Sequence, residues 1–596
     1  MDYKAEHQKW CISATFDEET RREARAVTDE AEMEDCFGRS LAFGTGGLRG
    51  LIGAGTNRMN VYTVGKATQG LADYINSVCG AGEKRVAIAY DSRRLSPEFA
   101  ERAALVFCAN GIEVFLFESL RPTPELSFAV RNLGCVAGVV VTASHNPPAY
   151  NGYKVYWRDG GQIVPPTDAR IIARVNAVTS FAAVHRMEKH EAEEKGLLHV
   201  IGQKEDDEYI AAVRRTCLNL EVIREMAGDI KIVYTPLHGT GNIPVRRILR
   251  ELGFTQVWVV PEQELPDGNF STVEYPNPED PKAFSLALRL ARKKDADVVL
   301  ATDPDADRLG VYAKDELTGE YMRFTGNMSG LLIADYRLSQ LREKGRLPQP
   351  PSDGALVTTV VSSDMAKAVA AEYGVTCIEV PTGFKYIGEQ IRLFEEAKAK
   401  NGGKTDGSKG AYEFLFGFEE SFGCLAGTYA RDKDAVAAVA ALCEAAAYYK
   451  KQGMTLCGKV RQMYEKYGYY REGLESVMLE GADGAQTAKA VVGRLLQSPP
   501  KALGGEEVVA VRDYAAGERT DLSSGEKTPT GLPKSDMVYF ECKDGGWCCV
   551  RPSGTEPKIK FYFGAKRESL EASDAALEEM RAELLRTAYE GTEEPD

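Results

Sequence analysis

Short apolar runs alternate along most of the chain with segments whose apolar residues recur at helical spacing. Nine runs rich in β-branched residues are each followed by a loop and then by such a segment; they occupy residues 84–93, 113–119, 135–143, 229–239, 257–262, 296–303, 354–363, 376–383 and 412–420. This alternation is typical of sheets with mostly parallel strands that lie between helices. The pattern therefore predicts an α/β fold.

The two ends of the chain differ from this repeating part. Residues 1–40 are charged and alanine-rich at helical spacing, which predicts an N-terminal helical extension. From about residue 471 onward, strand-like runs enclose a Gly, Ser and Pro-rich loop and precede a final amphipathic helix. We expect three similar α/β domains with mixed, mostly parallel sheets at residues 41–200, 201–325 and 326–470, and a smaller α+β domain at 471–596.

Length and charge are consistent with this organisation and exclude some classes of protein. At roughly 150 residues per domain, 596 residues correspond to about four domains. The chain carries 73 Lys and Arg against 88 Asp and Glu, a formal charge of −15. A nucleic-acid-binding protein would need a basic face, so none is expected here. Any anionic ligand must then be bound by a local group of cations.

Neither a membrane segment nor a disulfide framework is expected. The longest stretch of small apolar residues, Ala435 to Cys443, ends after nine residues, whereas a bilayer requires about 20. It predicts a buried helix. The first ten residues show no signal peptide or lipid-anchor pattern. Thirteen cysteines without a C-x-x-C pair indicate free thiols in a reducing compartment, so we expect a cytoplasmic protein.

Polar motifs that directly follow apolar runs are candidate binding residues, because ligands of open α/β sheets gather at the carboxyl ends of strands. The first is TASHNP at 142–147, in which a turn exposes Ser144. An ordinary turn, in which Ser and Asn satisfy backbone groups, is the alternative. A hydrolase triad is poorly supported, because no G-x-S-x-G motif is present.

The second motif is DPDADR at 303–308. Carboxylates at alternate positions of a loop can converge on one hard cation, and oxygen ligands favour Mg²⁺ or Ca²⁺. An EF-hand calcium loop starting at Asp303 would need Gly at its sixth position and Glu at its twelfth, where Arg308 and Lys314 stand. The motif therefore favours Mg²⁺, with a solvated acidic loop as the alternative.

The third motif is RPSGTEPK at 551–558, between two strand-like runs. Its guanidinium, two hydroxyls and exposed amides form a donor set that suits a phosphate dianion, although a hairpin turn is the simpler alternative. Four weaker signals occur after a strand or in a glycine loop: GTGGLRG with Arg49, NGYKVY with Lys154, PTGFK with Lys385, and GFEESFG at 417–423.

TASHNP, DPDADR, GFEES and RPSGTEP, in this order and roughly one domain apart, resemble the α-D-phosphohexomutase superfamily, which contains phosphoglucomutases and phosphomannomutases. The resemblance covers approximately residues 40–565. It implies four domains around one central cleft, each contributing a loop: a phosphoserine domain, a metal-loop domain, a sugar-binding-loop domain and a phosphate-binding domain.

The resemblance also implies roles for individual residues. Ser144 would be the phosphoserine, and Asp303, Asp305 and Asp307 would hold Mg²⁺ together with a phosphoserine oxygen. Lys154 and His145 match positions of proton transfer, and Arg49 and Arg308 would offset phosphoryl charge. The substrate would be bound by the sugar loop and by further matched positions, namely Glu419, Ser421, Thr382, Gly383, Lys385, Lys433, Arg551, Ser553, Gly554 and Thr555.

The activity implied is that of a phosphosugar mutase. A phosphoserine would donate to a sugar monophosphate, giving a bisphosphate that reorients and returns its other phosphate to Ser144. We expect a phosphoglucomutase acting on small sugar phosphates, with Mg²⁺ as cofactor and glucose 1,6-bisphosphate as activator and intermediate.

Three positions depart from the superfamily pattern. Pro304 and Ala306 stand where it often has glycine, and Phe418 replaces a glycine before Glu-Glu-Ser. With the N-terminal extension, this resembles the branch that also contains phosphopentomutases and a glucose 1,6-bisphosphate synthase. Phosphomannomutase, phosphopentomutase or bisphosphate synthase activity is therefore the near alternative. A non-catalytic sugar-phosphate sensor is the remote one.

Overall fold

The structure is a computed structural model that describes residues 2–44, 46–479, 484–552 and 558–589. The chain divides into two units, of which the first comprises Met1–Arg346 and Phe384–Cys457 and the second Leu347–Gly383 and Gly458–Asp596. Ser553, Gly554 and Thr555 of the predicted phosphate loop lie outside the described residues.

The helices begin with three short ones at the N-terminus, as the sequence predicts. Asp2, Asp17 and Asp29 accept hydrogen bonds from first-turn amides of the first, second and third helix, the usual role of an N-cap carboxylate. The α-helices of the described residues are α1 Tyr3–Ile12, α2 Glu18–Ala26, α3 Glu30–Phe37, α4 Val61–Val78, α5 Ser96–Ala109, α6 Thr123–Asn132, α7 Thr167–Ala177, α8 Lys189–Glu194, α9 Gln203–Arg215, α10 Leu220–Met226, α11 Asn242–Leu252, α12 Pro261–Glu264, α13 Ser285–Lys294, α14 Gly326–Glu343, α15 Met365–Glu372, α16 Phe384–Lys400, α17 Ala435–Lys451, α18 Leu456–Tyr467, α19 Gly484–Gln497 and α20 Leu570–Tyr589.

The nine predicted strands are all present, as β2, β3, β4, β7, β8, β9, β12, β13 and β14 of the full set. The strands of the described residues are β1 Gly47–Leu51, β2 Arg85–Tyr90, β3 Glu113–Phe117, β4 Ala137–Val141, β5 Tyr150–Trp157, β6 Leu198–Ile201, β7 Lys231–Thr235, β8 Gln256–Val259, β9 Val298–Thr302, β10 Leu309–Lys314, β11 Tyr321–Phe324, β12 Gly354–Thr359, β13 Thr376–Val380, β14 Glu413–Glu419, β15 Gly423–Leu425, β16 Tyr469–Met478, β17 Ala502–Leu503, β18 Glu506–Asp513, β19 Glu518–Asp521, β20 Lys527–Pro529, β21 Val538–Cys542, β22 Trp547–Pro552 and β23 Lys558–Arg567.

The first sheet of the first unit has the strand order β1-β5-β4-β2-β3-β6. Strands β4, β2, β3 and β6 are parallel, and β1 and β5 are added antiparallel at one side. All five residues of β4 are buried, as expected for a strand covered on both faces. The antiparallel addition brings β5 alongside the strand that leads into the TASHNP loop.

The second sheet of this unit has the order β11-β10-β9-β7-β8 and is again mixed. Strands β9, β7 and β8 are parallel, and the DPDADR loop directly follows β9. Strands β14 and β15 form an antiparallel hairpin whose turn carries Ser421. The predicted buried helix is α17, which begins after the N-cap Asp434.

The second unit contains a parallel pair and an antiparallel sheet. Strands β12 and β13 are parallel, and α15 lies between them along the chain. Eight strands, β16–β23, form the sheet, in the order β16-β23-β22-β21-β18-β19-β20 with β17 paired to β18. Residues of α19 and α20 share one core with this sheet. The C-terminal part is therefore α+β, and the fold class predicted from the sequence is confirmed.

Two further expectations concern membranes and thiols. In the part of the chain that the structure describes, no helix has the length and hydropathy needed to cross a membrane. All thirteen cysteines lie among the described residues, and each is a free thiol. The free thiols predicted from the spacing of the cysteines are thus confirmed.

Candidate active site

Ser144 lies on the turn that follows β4 and has a backbone φ of +53°. Residues other than glycine rarely adopt this conformation, and such residues cluster at functional sites. The Ser144 hydroxyl is buried, donates to Oδ2 of Asp303 at 2.9 Å and lies 3.1 Å from Nδ1 of His145. Adjacency in the sequence does not by itself bring the His145 ring to the Ser144 hydroxyl. The conformation of this turn does so.

The guanidinium of Arg93 holds this turn in place. It is fully buried and donates to four backbone carbonyls, those of Ser144 (2.6 Å), Asn146, Pro147 (2.8 Å) and Tyr150 (3.0 Å). Each buried carbonyl would cost free energy if it lacked a donor. Arg93 was missed in the sequence, although the Asp-x-Arg pattern after β2 stands at the same sheet edge as TASHNP.

Asp91 connects Arg93 to the start of the turn. Its Oδ2 accepts a hydrogen bond from the Thr142 hydroxyl at 2.6 Å, and Nε of Arg93 lies 3.3 Å away. The Thr142 hydroxyl oxygen in turn accepts from the Ser144 amide at 2.8 Å. Burial raises the pKa of Asp91 despite the opposing charge of Arg93. The Ser144 turn is therefore fixed by a buried polar network.

The three aspartates of DPDADR converge, as their alternate spacing predicts. One carboxylate oxygen from each of Asp303, Asp305 and Asp307 lies within 4.8 Å of the others, and all three side chains are buried. Oδ1 of Asp303 accepts from the amides of Asp307 (3.1 Å) and Arg308 (3.0 Å), which closes the loop. Burial and the charges of Asp307 and Asp305 raise the pKa of Asp303 well above its usual value.

Asp305 is fixed from two sides. Its backbone carbonyl and its Oδ2 both accept from Thr123, the first residue of α6, each at 2.9 Å. Lys154, on β5, donates to the same Oδ2 at 2.7 Å. Burial alone would raise the pKa of Asp305, but the charge and hydrogen bond of Lys154 lower it far below its usual value. Thr123, which no sequence motif indicated, joins α6 to the DPDADR loop.

A second lysine, Lys433, forms an ion pair with Asp307. Nζ of Lys433 lies 3.0 Å from Oδ2 of Asp307 and 3.9 Å from Oε1 of Glu419, while Lys154 lies 3.5 Å from Asp307. Burial raises the pKa of Glu419 to about 7, and the charge of Lys433 opposes this rise. The Glu419 carboxyl, buried beside Lys433, therefore keeps its proton to a higher pH than an exposed glutamate does.

Two arginines complete the charge around Ser144. Nη1 of Arg49 donates to Oδ1 of Asn146 at 3.2 Å, and Arg308 forms an ion pair with Glu279. Burial and the charges of Arg308 and Arg49 hold the pKa of His145 well below its usual value, so its ring is neutral at pH 7.

One of the three departures from the superfamily pattern has a local explanation. The ring of Phe418 fills the space that Gly330 of α14 leaves open. Ala306 has a φ of +51°, a conformation that glycine adopts without strain, and nothing in the structure explains the alanine. Gly239 lies against the backbone of Pro304, where a Cβ atom would come within 2.5 Å, and this contact does not involve the proline ring.

The remaining predicted residues are not joined to this cluster by the contacts described above. Lys385, on α16, lies 5.1 Å from the ring of Tyr386 and lines a cavity of about 280 Å³ together with Trp157 and Glu389. Thr382, Gly383 and Arg551 belong to the second unit, where Arg551 lies one residue before the end of β22 and pairs with Lys560.

The donor set fits a divalent cation. Oδ1 of Asp305 and both carboxylate oxygens of Asp307 are buried and accept no hydrogen bond from the described residues. The ammonium groups near them supply charge but leave these lone pairs available. Carboxylate oxygens are the ligands that Mg²⁺ prefers. Asp303, Asp305 and Asp307, with the Ser144 oxygen beside them, could therefore hold a metal ion.

Comparison with known protein families assigns the chain to one family along most of its length. Four family descriptions match in order: "Phosphoglucomutase/phosphomannomutase, alpha/beta/alpha domain I" at residues 40–181, domain II at 207–318, domain III at 325–467, and the "C-terminal domain" at 506–587. The chain belongs to the phosphoglucomutase/phosphomannomutase family.

Individual relatives agree with this assignment. The chain is 36% identical over 533 residues to a phosphoglucomutase of Staphylococcus epidermidis (strain ATCC 12228 / FDA PCI 1200), covering 89% of this chain and 92% of the relative. It is also 36% identical over 550 residues to one of Staphylococcus aureus (strain USA300), covering 90% and 92%. The protein is a phosphosugar mutase, an enzyme that moves a phosphoryl group within a sugar phosphate.

Solved structures share the fold. A phosphoglucomutase/phosphomannomutase family protein from Burkholderia thailandensis matches with a TM-score of 0.63 at 20% identity, covering 93% of this chain and 99% of the other. The open form of pp63/parafusin, a phosphoglucomutase from Paramecium, matches with a TM-score of 0.66 at 17% identity, covering 92% and 95%.

Arg93→Lys should loosen the reactive turn. A lysine cannot replace all the hydrogen bonds of the guanidinium fork, and each lost bond costs about 0.5–1.5 kcal/mol. We expect amide hydrogen exchange in residues 142–150 to accelerate about 10- to 100-fold, measured by mass spectrometry. Arg94→Lys, at the exposed neighbouring position, is the matched control. Unchanged exchange in a folded Arg93→Lys protein would refute the role.

Glu419→Gln should change how stability depends on pH. Because the pKa of Glu419 is raised from 4.5 to about 7, the folded protein binds this proton more tightly than the unfolded chain does. Stability from this group is therefore present below pH 4.5 and decreases as pH rises to about 7, by roughly 3 kcal/mol. Relative to the parent, Glu419→Gln should gain thermal stability between pH 5 and pH 8.

Thermal melting of both proteins at several pH values measures this difference. Glu413→Gln is the control, because that exposed carboxylate lies at the other end of the same strand and forms an ion pair with Lys398. A constant difference between the Glu419→Gln and parent melting temperatures from pH 5 to pH 8 would contradict the expectation.

Proposed function

We propose that the protein is a phosphoglucomutase, which interconverts glucose 1-phosphate and glucose 6-phosphate through a phosphoserine at Ser144 and a bound glucose 1,6-bisphosphate. The observation that carries the proposal is the hydrogen bond of 2.9 Å between the Ser144 hydroxyl and Asp303, within a cluster of three buried aspartates. Relatives named phosphoglucomutase, 36% identical over most of the chain, support the choice of glucose.

Phosphoryl transfer requires a fixed geometry and neutralised charge more than it requires covalent chemistry by the protein. Arg93 and Asp91 fix the Ser144 turn, and Thr123 fixes Asp305. A Mg²⁺ ion held by Asp303, Asp305, Asp307 and a phosphoserine oxygen would neutralise charge on the transferred group. Lys154, Lys433, Arg308 and Arg49 supply the positive charge that the protein itself contributes.

In the transfer from phosphoserine, the bond between phosphorus and the Ser144 oxygen breaks and a bond to a sugar hydroxyl oxygen forms. The sugar hydroxyl loses a proton, and the Ser144 oxygen takes up a proton after its bond to phosphorus has broken. His145, a neutral ring 3.1 Å from that oxygen, is positioned to exchange the proton on Ser144. Lys154 is the second candidate for proton transfer.

The sugar loop would bind substrate hydroxyls: Glu419 would accept from them beside Ser421 and Lys433, and Lys385 would add a cation. Thr382, Gly383 and Arg551, with Ser553, Gly554 and Thr555, are retained as proposed substrate-binding residues. We retain the domain boundaries at residues 40/41, 200/201, 325/326 and 470/471 as part of the proposal. In it, each domain contributes one loop.

The protein should act fastest on glucose 1-phosphate. We expect initial rates with catalytic glucose 1,6-bisphosphate to exceed those on mannose 1-phosphate and ribose 1-phosphate by at least about tenfold, which corresponds to about 1.4 kcal/mol in the barrier. A faster rate on mannose 1-phosphate would indicate a phosphomannomutase, and a faster rate on ribose 1-phosphate would indicate a phosphopentomutase. Net formation of glucose 1,6-bisphosphate would instead indicate the synthase.

Ser144→Ala is the control for that experiment. It removes the atom that carries the phosphoryl group, so turnover should disappear for every sugar phosphate while binding persists. Intact-protein mass should show one added phosphate in the parent and none in the variant. Near-native turnover by Ser144→Ala would exclude the phosphoserine route, and binding without turnover by the parent would favour the sensor alternative.

Asp307→Asn should weaken Mg²⁺ binding by at least about tenfold, because it removes one charged oxygen ligand from a set of three. Calorimetric titration of MgCl₂ into chelator-treated protein measures this without reference to activity. Asp295→Asn is the control, since Asp295 is exposed and forms ion pairs with Lys231 and Lys314. Equal Mg²⁺ affinity in the Asp307→Asn and parent proteins would exclude the aspartate cluster as the metal site.

A further inference from the structure

The second sheet of the first unit ends in a strand with an open edge. β8 is the last strand in the order β11-β10-β9-β7-β8 and pairs in parallel with β7. The amide of Val260, just beyond β8, donates to the Tyr234 carbonyl of β7 at 3.0 Å. Because backbone groups alternate in direction along a strand, the N–H and C=O groups of Val257 and Val259 point away from β7. These groups can receive another strand.

A groove of about 530 Å³ lies beside this edge. Phe254, Trp258 and Leu290 provide apolar surface in it, while α11 contributes Arg246 and Arg250 and α13 contributes Lys294. Apolar side chains next to free backbone groups are the features by which sheet edges bind extended peptides. None of these residues takes part in the active site.

The charge of the groove favours one kind of occupant. Arg246 is paired with Glu264, and the ammonium of Lys294 lies 5.0 Å from the centre of the Trp258 ring. Among the described residues, no ion pair involves Arg250 or Lys294. The groove is therefore positive in a chain of net charge −15. Two copies paired edge to edge would bring these cations together, whereas an acidic segment would neutralise them.

Exposed apolar side chains extend the surface beyond the groove. Leu265 is 71% exposed and Ile243 is 70% exposed. Their chain neighbours are in contact, because the side chain of Asn242 donates to the Glu264 carbonyl at 2.8 Å. Glu264 also lines the groove. Leu265 and Ile243 thus offer apolar surface near one end of β8, and cations lie along the strand.

We propose that the β8 edge binds an extended acidic segment of a partner protein, which adds as a strand to Val257 and Val259 and places carboxylates near Arg250 and Lys294. The backbone contacts provide affinity and the cations select for acidic side chains. This interaction is separate from phosphoryl transfer and does not depend on which sugar the enzyme prefers.

The test uses the full-length enzyme and a peptide with fluorescein on its N-terminal amine, fluorescein-Glu-Val-Glu-Val-Glu-Val-Glu-amide, with fluorescence anisotropy as the readout. Saturable binding below about 1 mM is expected, with at least tenfold weaker binding of the matching Lys-Val peptide. Val257→Pro should weaken binding at least tenfold, since proline removes an outward donor while the bonds to β7 remain. Absence of saturable binding of the acidic peptide would overturn the proposal.

Charge variants keep the test decisive if the proline variant does not fold. Arg250→Glu and Lys294→Glu should each weaken binding at least tenfold, whereas Lys293→Glu, at the exposed neighbouring position on α13, should leave it unchanged. Equal weakening by Lys293→Glu and Lys294→Glu would indicate general charge attraction and refute the site. Sedimentation of the enzyme alone identifies the other occupant: a dimer that Val257→Pro dissociates would assign the edge to a second copy.

Discussion

Burial of several carboxylates at one place is the constraint on which the rest of the site depends. Asp303, Asp305 and Asp307 are buried, and one carboxylate oxygen of each lies close enough to the others to bind the same cation. Their mutual repulsion is not screened there, so positive charge must be brought to them. Lys154, on β5, and Lys433, in the loop before α17, supply this charge. A protein with a net charge of −15 can therefore present a site suited to phosphate.

The surrounding network explains why this charged cluster holds its shape. Arg93 donates to four carbonyls of the serine turn, and Thr123 makes two hydrogen bonds to Asp305. Neither residue is positioned to react. Both convert flexible loops into a fixed arrangement, and catalysis of phosphoryl transfer depends mainly on such positioning. The β8 edge lies on the same sheet as the DPDADR loop but presents different chemistry, with outward-facing backbone groups in place of buried charge.

Much of the fold and of the site can be predicted from local sequence patterns. Apolar runs rich in β-branched residues located nine strands. The polar motifs that follow two of these runs contain Ser144 and the three aspartates, which the structure brings together. The convergence of Asp303, Asp305 and Asp307 could be predicted because their spacing is local. Arg93 and Thr123 could not be found in this way. Each acts on a loop far away in sequence, and an arginine after a strand is usually a surface residue.

The sequence by itself determined the α/β class, the order of the elements and the residue types available for chemistry, because these follow from local periodicity and short motifs. Only the tertiary structure decided which loops meet. The antiparallel addition of β5 beside β4 brings Lys154 to Asp305, across 151 positions of the chain. The φ of +53° at Ser144 and the pKa of about 7 at Glu419 likewise come from surroundings that several elements supply together. Burial and long-range pairing are properties of the folded chain, so no local pattern encodes them.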